Sequence, residues 1–268
     1  METEQIVLTK EKRERNSSHL WHLTVKNLKT MFRDKGELAW IFGVPLFLIL
    51  LMLIMYGTEN IPIDINGMRF DVIDLMAPGV VISGTIVILG QIASHFNEER
   101  EKMTFLRLAT TPVKRSNIII SGMISQLAVA AVQTIFSILL LLLFGAYIHP
   151  NCNLLLIFCI PMLLAFTSLG IGVIVASFLK SSKGLFGITF IIILSLIFLG
   201  NCMNYPPMDF VIEDFIPAKY AVDAMRSVMT FGDATWEAIG GNIVVLACSG
   251  IGFPIVGILL FQRKTAIK

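Results

Sequence analysis

Charge is what this 268-residue chain lacks most: 15% of its residues are Asp, Glu, Lys or Arg, against about a quarter in a soluble domain. That shortfall excludes an ordinary soluble domain, and an apolar share of 55% excludes disorder. Cysteine is scarce, with four in the chain and no CxxC pair, so neither a disulfide-stapled mini-domain nor a cysteine metal site is expected. No Gly is followed by Lys, which removes the phosphate-cradling GxxxxGK[ST] loop and with it any ATPase activity of the chain itself. His19, His22, His95 and His149 are scattered, HExxH and GxSxG are missing, and neither a metal site, a cofactor nor a catalytic residue is expected.

What is present is long apolar runs. A bilayer core takes about 20 apolar residues in a helix, and six charge-free runs meet this: Leu38 to Gly57, Leu75 to Phe96, Ser116 to Ile148, Leu154 to Leu179, Gly184 to Cys202 and Ala238 to Phe261. The third and fourth share one uncharged stretch, which His149-Pro150-Asn151 divides. The expected fold class is therefore all-α, a polytopic membrane protein with six transmembrane helices. Residues 1–37 form a cytoplasmic N-terminus, 38–261 the transmembrane domain and 262–268 a cytoplasmic tail.

Orientation follows from the basic residues. With the N-terminus inside, the cytoplasmic segments hold 18 Lys and Arg, and the outer segments only Arg69, Lys219 and Arg226. Residues 1–37 contain eight of them and no apolar core, so a cytoplasmic N-terminus is expected rather than a cleavable leader. Cys152 and Cys202 both fall near the outer face, as a disulfide or as small apolar fillers. No Asp, Glu, Lys or Arg lies inside any run, so the chain has no evident proton relay, and energy for moving a solute comes from elsewhere.

Three segments outside the runs have patterns of their own. After the capping chemistry of Asn16-Ser17-Ser18, Trp21, Val25, Leu28 and Phe32 recur at helical spacing beside Lys26, Lys29 and Arg33. This reads as an interfacial amphipathic helix; a helix packed on another domain is the rival. Asn97 is placed to cap a short cytoplasmic helix whose first turn holds Glu98, Glu99 and Glu101, ended by Thr110-Thr111-Pro112. Before the last run, Pro217 at a first helical position and Gly232 as a stop predict a helix over Ala218 to Thr230, with Ala221, Met225, Val228 and Met229 on one side. Its apolar content suggests a segment re-entering the outer leaflet.

Three stretches in this order resemble a known family: "LTVKNLKTMFRDKGELAWIFGVPLFLILL" (23–51), "NEEREKMTFLRLATTPVKRSNIIISG" (97–122) and "FIPAKYAVDAMRSVMTFGD" (215–233). Together with the six runs they resemble the permease subunit of type-2 ATP-binding-cassette exporters, in a drug- or antibiotic-exporter-like form. The resemblance implies a plasma-membrane permease dimer, homodimeric or with a similar permease, driven by a separate nucleotide-binding ATPase. It implies that Glu98, Glu99, Arg100, Glu101, Phe105 and Arg107 belong to a coupling helix docking on that ATPase. A pathway lined by spans two and five would include Thr85, Gln91, Thr189 and Ser195, each of which also reads as a helix-packing residue. Pro217 and Arg226 would mark an outer gate segment. The implied substrate is an amphipathic drug, antibiotic or peptide, with a polysaccharide or lipid-linked substrate, or a non-transporting membrane anchor, as rivals; membrane lipids are expected partners and nucleic acid is not.

Overall fold

The computed structural model describes residues 20–56, 63–65, 68–101, 115–179, 181–204, 207 and 212–266. Its elements are α1 (20–31), α2 (Lys35–Tyr56), β1 (Ile63–Ile65), β2 (Met68–Phe70), α3 (Val72–Glu101), α4 (Arg115–Leu143), α5 (Leu154–Phe178), α6 (Ser182–Leu199), α7 (Pro217–Met229) and α8 (Trp236–Ala266). A 3-10 turn, Glu213–Phe215, precedes α7. The strands pair antiparallel with Ile65 opposite Met68. Five helices, α2, α3, α4, α5 and α8, are long and apolar enough to cross a membrane, and the shorter apolar stretch Lys183–Leu199 lies in α6.

Two helix ends depart from the sequence expectation, each for a local reason. The third run extends to Ile148, but α4 stops at Leu143, and Gly145 takes φ of 83° just beyond it. A left-handed residue of that kind is cheap for glycine and ends the helix. The fifth run extends to Cys202, but α6 stops at Leu199; Asn201 follows at φ 53° and its amide donates to Glu213 Oε2 at 3.0 Å. Asn tolerates that conformation because its side chain recovers a hydrogen bond.

A larger correction concerns Asn97, which does not begin a helix. It sits inside α3, which runs unbroken from Val72 through Glu101. Between Phe96 and Glu101 there is neither Pro nor Gly, and Glu and Arg are good helix formers, so nothing stops propagation. The 30 residues of α3 span about 45 Å, well beyond a hydrocarbon core of about 30 Å. Its charged last turn therefore has room to project from the bilayer as a rigid extension of the span.

α3 is the axis of the bundle: most residues of its apolar stretch are buried within the chain, whereas most of those of α2 and α8 are not. The outward-facing helices keep their apolar side chains exposed, as a lipid-facing surface requires. One end of the bundle gathers Ile92 and Phe96 of α3, Ile119 of α4, Val173 and Ala176 of α5, Leu185 of α6 and Phe261 of α8. The start of α2 lies at this end as well, since Glu37 and Trp40 border the same cleft as Gln91 and Glu98. The start of α2 and the last turns of α8 thus lie at the same end of the bundle.

Close approach between helices rests on glycine. A Cβ at Gly172 of α5 would lie 2.6 Å from the Leu89 carbonyl oxygen of α3, and one at Gly257 of α8 would lie 2.9 Å from the Gly170 carbonyl oxygen of α5. Small residues at such crossings bring membrane helices near enough for dispersion to hold them where no hydrophobic force draws them together.

α1 forms as its spacing predicts, with a distinct orientation. Thr24, Asn27 and Met31 are its buried residues, and Met31 joins Ile41 of α2 and Val129 of α4. Trp21 is 68% and Phe32 48% exposed. Trp21, Val25 and Phe32 of the apolar edge read from the sequence therefore face away from the bundle, while Leu28 packs against the Met31–Ile41–Val129 cluster.

Candidate functional site

A cleft of about 220 Å³ opens between the start of α2, the last turns of α3 and the first half of α6. Its lining is Gly36, Glu37 and Trp40 from α2, Gly90, Gln91, Ser94 and Glu98 from α3, and Phe186, Thr189, Phe190 and Ile193 from α6. The α-helical period explains this set: Glu37 and Trp40, Gln91, Ser94 and Glu98, and Phe186, Thr189, Phe190 and Ile193 each recur at three- or four-residue spacing on one face. Gly90 lets α6 sit against α3, because a Cβ there would lie 3.2 Å from Ile193 Cδ1 and 3.3 Å from Thr189 Cγ2.

The cleft contains polar atoms that the fold leaves without partners. Gln91 is 5% and Thr189 4% exposed, and neither the amide Nε2 and Oε1 of Gln91 nor Thr189 Oγ1 has a hydrogen-bond partner among the described residues. A buried unsatisfied polar group costs about 1–3 kcal/mol. The same cost is met at Gln133 and Thr134 of α4, so what distinguishes Gln91 and Thr189 is that their side chains border the cleft.

Of the four pathway positions read from the sequence, Gln91 and Thr189 meet in this cleft and the other two do not. Thr85 is sealed in the core with its hydroxyl donating to the Val81 carbonyl at 3.2 Å, and Ser195 on α6 donates its hydroxyl to Ile191 O at 2.8 Å. Both hydroxyls make the back-bonds expected of Ser and Thr within helices. Glu37 and Trp40 escape the sequence reading, whereas Phe186 and Phe190 belong to span five, which that reading already takes to line the pathway. The available signal for Glu37 and Trp40 is their shared face in the first turns of α2, and for the two phenylalanines an i, i+4 pair, whose rings stack with centroids 6.2 Å apart.

Among the coupling positions, Glu98 is exposed and borders the cleft, and Glu99 Oε1 lies 3.9 Å from His95 Nε2. Arg100 and Glu101 are in the last turn of α3, and Phe105 and Arg107 lie outside the described residues. Among the described residues, no three His, Cys, Asp or Glu side chains are grouped to hold a metal. Cys152 and Cys202 are free thiols, as are Cys159 and Cys248.

At the opposite end, a polar latch ties α7 to the start of α3. The expected helix is present one residue early, with Pro217 at its first position, and Ala221, Met225, Val228 and Met229 are all buried. Arg226 is 5% exposed and its Nε donates to the Leu75 carbonyl at 3.2 Å. Thr230 donates to the Asp74 carbonyl at 3.2 Å, and the Asp74 carboxylate accepts from the amides of Tyr147 at 2.7 Å and Asp71 at 3.0 Å. Asp74 thus joins three chain segments. Asp74→Ala leaves the Tyr147 amide unpaired, with an expected loss of about 1–3 kcal/mol and a lower melting temperature in detergent; an unchanged melting temperature contradicts the latch.

Charge within the latch region is balanced locally. The Lys219 ammonium is held above its usual pKa by its hydrogen bonds to Asp214 and Glu213, so it stays charged through the physiological range. Burial pushes the Asp223 carboxyl up, with Arg226 and Lys219 opposing and Glu213 adding to the rise. An acid whose folded pKa exceeds its unfolded value favours the folded state when protonated. Its contribution therefore falls as pH rises from the unfolded value near 3.9 to the folded one, and is flat above. In Asp223→Asn that component of the acid-side stability slope disappears; a slope identical to the parent's contradicts it.

No curated protein matches the chain. The ABC-2 type transporter family matches residues 18–230, a span that takes in the cleft, the charged end of α3 and all of α7. The chain therefore belongs to the ABC-2 type transporter family and is a multi-pass membrane permease component of an ATP-binding-cassette transporter.

Proposed function

We propose that the chain is the permease of an exporter in which a separate ATP-binding-cassette subunit hydrolyses ATP. The carrying observation is the cleft between α3 and α6, whose buried Gln91 and Thr189 lack partners among the described residues and which lies beside the charged last turn of α3. Substrate entering there touches the same rigid helix that presents Glu98, Glu99, Arg100 and Glu101. A helix about 45 Å long transmits a push at one end to the cleft and to the latch at the other. Phe105 and Arg107 complete the docking segment in this scheme.

In this reading α6 is the fifth of six spans and both termini lie in the cytoplasm of a plasma-membrane protein, which the excess of Lys and Arg in the segments assigned to that side supports. The exposed face of α6, with Phe186, Ile191 and Phe198, is where a second permease closes the pathway, in a homodimer or with a similar chain. Pro217 and Arg226 act in the outer gate, where opening requires Arg226 to release the Leu75 carbonyl. The substrate is an amphipathic drug, antibiotic or peptide, because a cleft that sets aromatic rings beside polar side chains selects molecules of mixed character. The test is a mild-detergent pull-down of the full chain from native membranes. A stoichiometric ATP-binding-cassette subunit among the bound proteins is the expected result. A permease that purifies without any ATPase contradicts the proposal.

A further inference from the structure

We infer that Pro78 is a positioning residue of the outer gate: it frees a main-chain carbonyl of α3, which the end of α7 captures to hold the gate shut. This rests on the gate named above and deepens it. Proline carries no N–H, so inside a helix the carbonyl four residues earlier loses its donor. Pro78 stands in the second turn of α3, and the carbonyl it deprives is that of Asp74. That oxygen accepts instead from Thr230 Oγ1 at 3.2 Å, and Thr230, just past the last residue of α7, has no exposed surface. The next carbonyl, Leu75, takes the Nε–H of Arg226. Two donors one turn apart thus close on two successive carbonyls of the proline turn.

A proline within a helix is not enough for such a latch. Pro45 of α2, Pro161 of α5 and Pro254 of α8 deprive the carbonyls of Ile41, Ile157 and Gly250 in the same way. Among the described residues, Asp74 is the one of the four whose missing donor comes from a side chain elsewhere in the chain. The other flank of the turn is closed by backbone. A Cβ at Gly79 would run into the main chain of Cys202, just past α6, so here two backbones meet with no side chain between them.

This arrangement makes the gate two-state. Parting α7 from α3 separates Thr230 from the Asp74 carbonyl, which is satisfied again only when water enters. A half-open turn that stays dry is penalised, so the latch is either closed and dry or open and wet. With alanine at position 78 the new N–H returns to Asp74, and the carbonyl no longer needs Thr230.

The full chain with its ATPase is placed in nanodiscs, carrying Cys152→Ala, Cys159→Ala and Cys248→Ala, and labelling of Cys202 by a maleimide is timed. Cys202 is 1% exposed and lies against the proline turn, so its labelling reports opening there, and the rate follows the opening equilibrium when reclosing outpaces reaction. Thr230→Val keeps the shape and removes the donor. It is expected to speed labelling about tenfold in the parent, because it leaves the carbonyl unpaired, whereas Thr230→Ser stays within about twofold. In Pro78→Ala, Thr230→Val adds less than about twofold. The same factor in both backgrounds overturns the inference. Equal rates for Thr230→Val and Thr230→Ser in the parent overturn it too, a comparison that stands even where Pro78→Ala does not fold. ATP is expected to speed labelling in the parent complex. Acceleration by ATP without the dependence on Pro78 refutes the role of Pro78 alone. Dependence on Pro78 without acceleration by ATP supports the latch and refutes the tie between gate and ATPase.

Discussion

Glu98→Lys, Glu99→Lys and Glu101→Lys together lower the recovery of the ATPase with the permease by about two orders of magnitude, while the permease remains folded and membrane-inserted. Each close charge pair at an interface contributes on the order of 1.5 kcal/mol or more, and reversal adds repulsion where there was attraction, which sets this magnitude. Because α3 runs without a break through Glu101, these residues sit on a helix anchored along its length in the bundle core. A substitution there acts on docking rather than on a pliable loop. Glu98 is exposed, whereas the Glu99 side chain is only 12% exposed beside His95, so Glu98→Lys alone is the companion variant that leaves the packing untouched. Co-purification quantified against permease, with size-exclusion profiles as the folding check, measures the effect. Parent-like recovery of ATPase contradicts the docking assignment.

Gly172→Leu is expected to abolish recovery of folded permease. A Cβ at this position already meets Ile92 Cγ2 of α3 and lies 2.6 Å from the Leu89 carbonyl oxygen. Main chain cannot turn aside as a flexible side chain does, so α5 must withdraw from α3. Overpacking costs typically about 1–3 kcal/mol, and displacement of backbone at the bundle axis places Leu at or above the upper end. Gly252→Ala is the matched comparison, since a Cβ there meets nothing within 4 Å. With no strain introduced and less freedom in the unfolded chain, it stabilises by about 0.4–1 kcal/mol. Thermal melts of the two variants in one detergent separate them by sign; equal shifts contradict the packing at Gly172.

The contrast between these glycines marks the reach of sequence pattern. Both read as uncharged residues of apolar runs, and local pattern does not tell which faces a neighbouring backbone. The runs themselves are legible because a bilayer imposes a length and a composition on each span. α7 is legible to one residue because Pro217 and Gly232, the latter at φ 66°, are local signals of start and stop.

Asn97 misleads because a capping residue followed by acids is an N-terminal signature wherever it occurs, whereas a helix already propagating from Val72 has no need of a new nucleus. The β1–β2 pairing goes unread although Asn66-Gly67 between the two segments is a strong two-residue hairpin signal. The cleft is half legible. Gln91 and Thr189 stand out as polar residues in apolar helices, but Glu37 and Trp40 come from a helix more than 50 residues away from Gln91 in sequence, and only the fold brings them together. Asp74 reads as one more outer charge; that it accepts from the Tyr147 amide, 73 positions later, is a tertiary fact with no local trace.

That this permease moves an amphipathic solute when a partner hydrolyses ATP is tested most directly by flux. Inside-out proteoliposomes holding the full chain with its co-purified ATPase are loaded externally with a labelled amphipathic drug. ATP is expected to drive accumulation of the label in the lumen, and a non-hydrolysable analogue is not. Steady ATP hydrolysis by the assembled complex with no ATP-dependent accumulation of any amphipathic drug, antibiotic or peptide tested would contradict it.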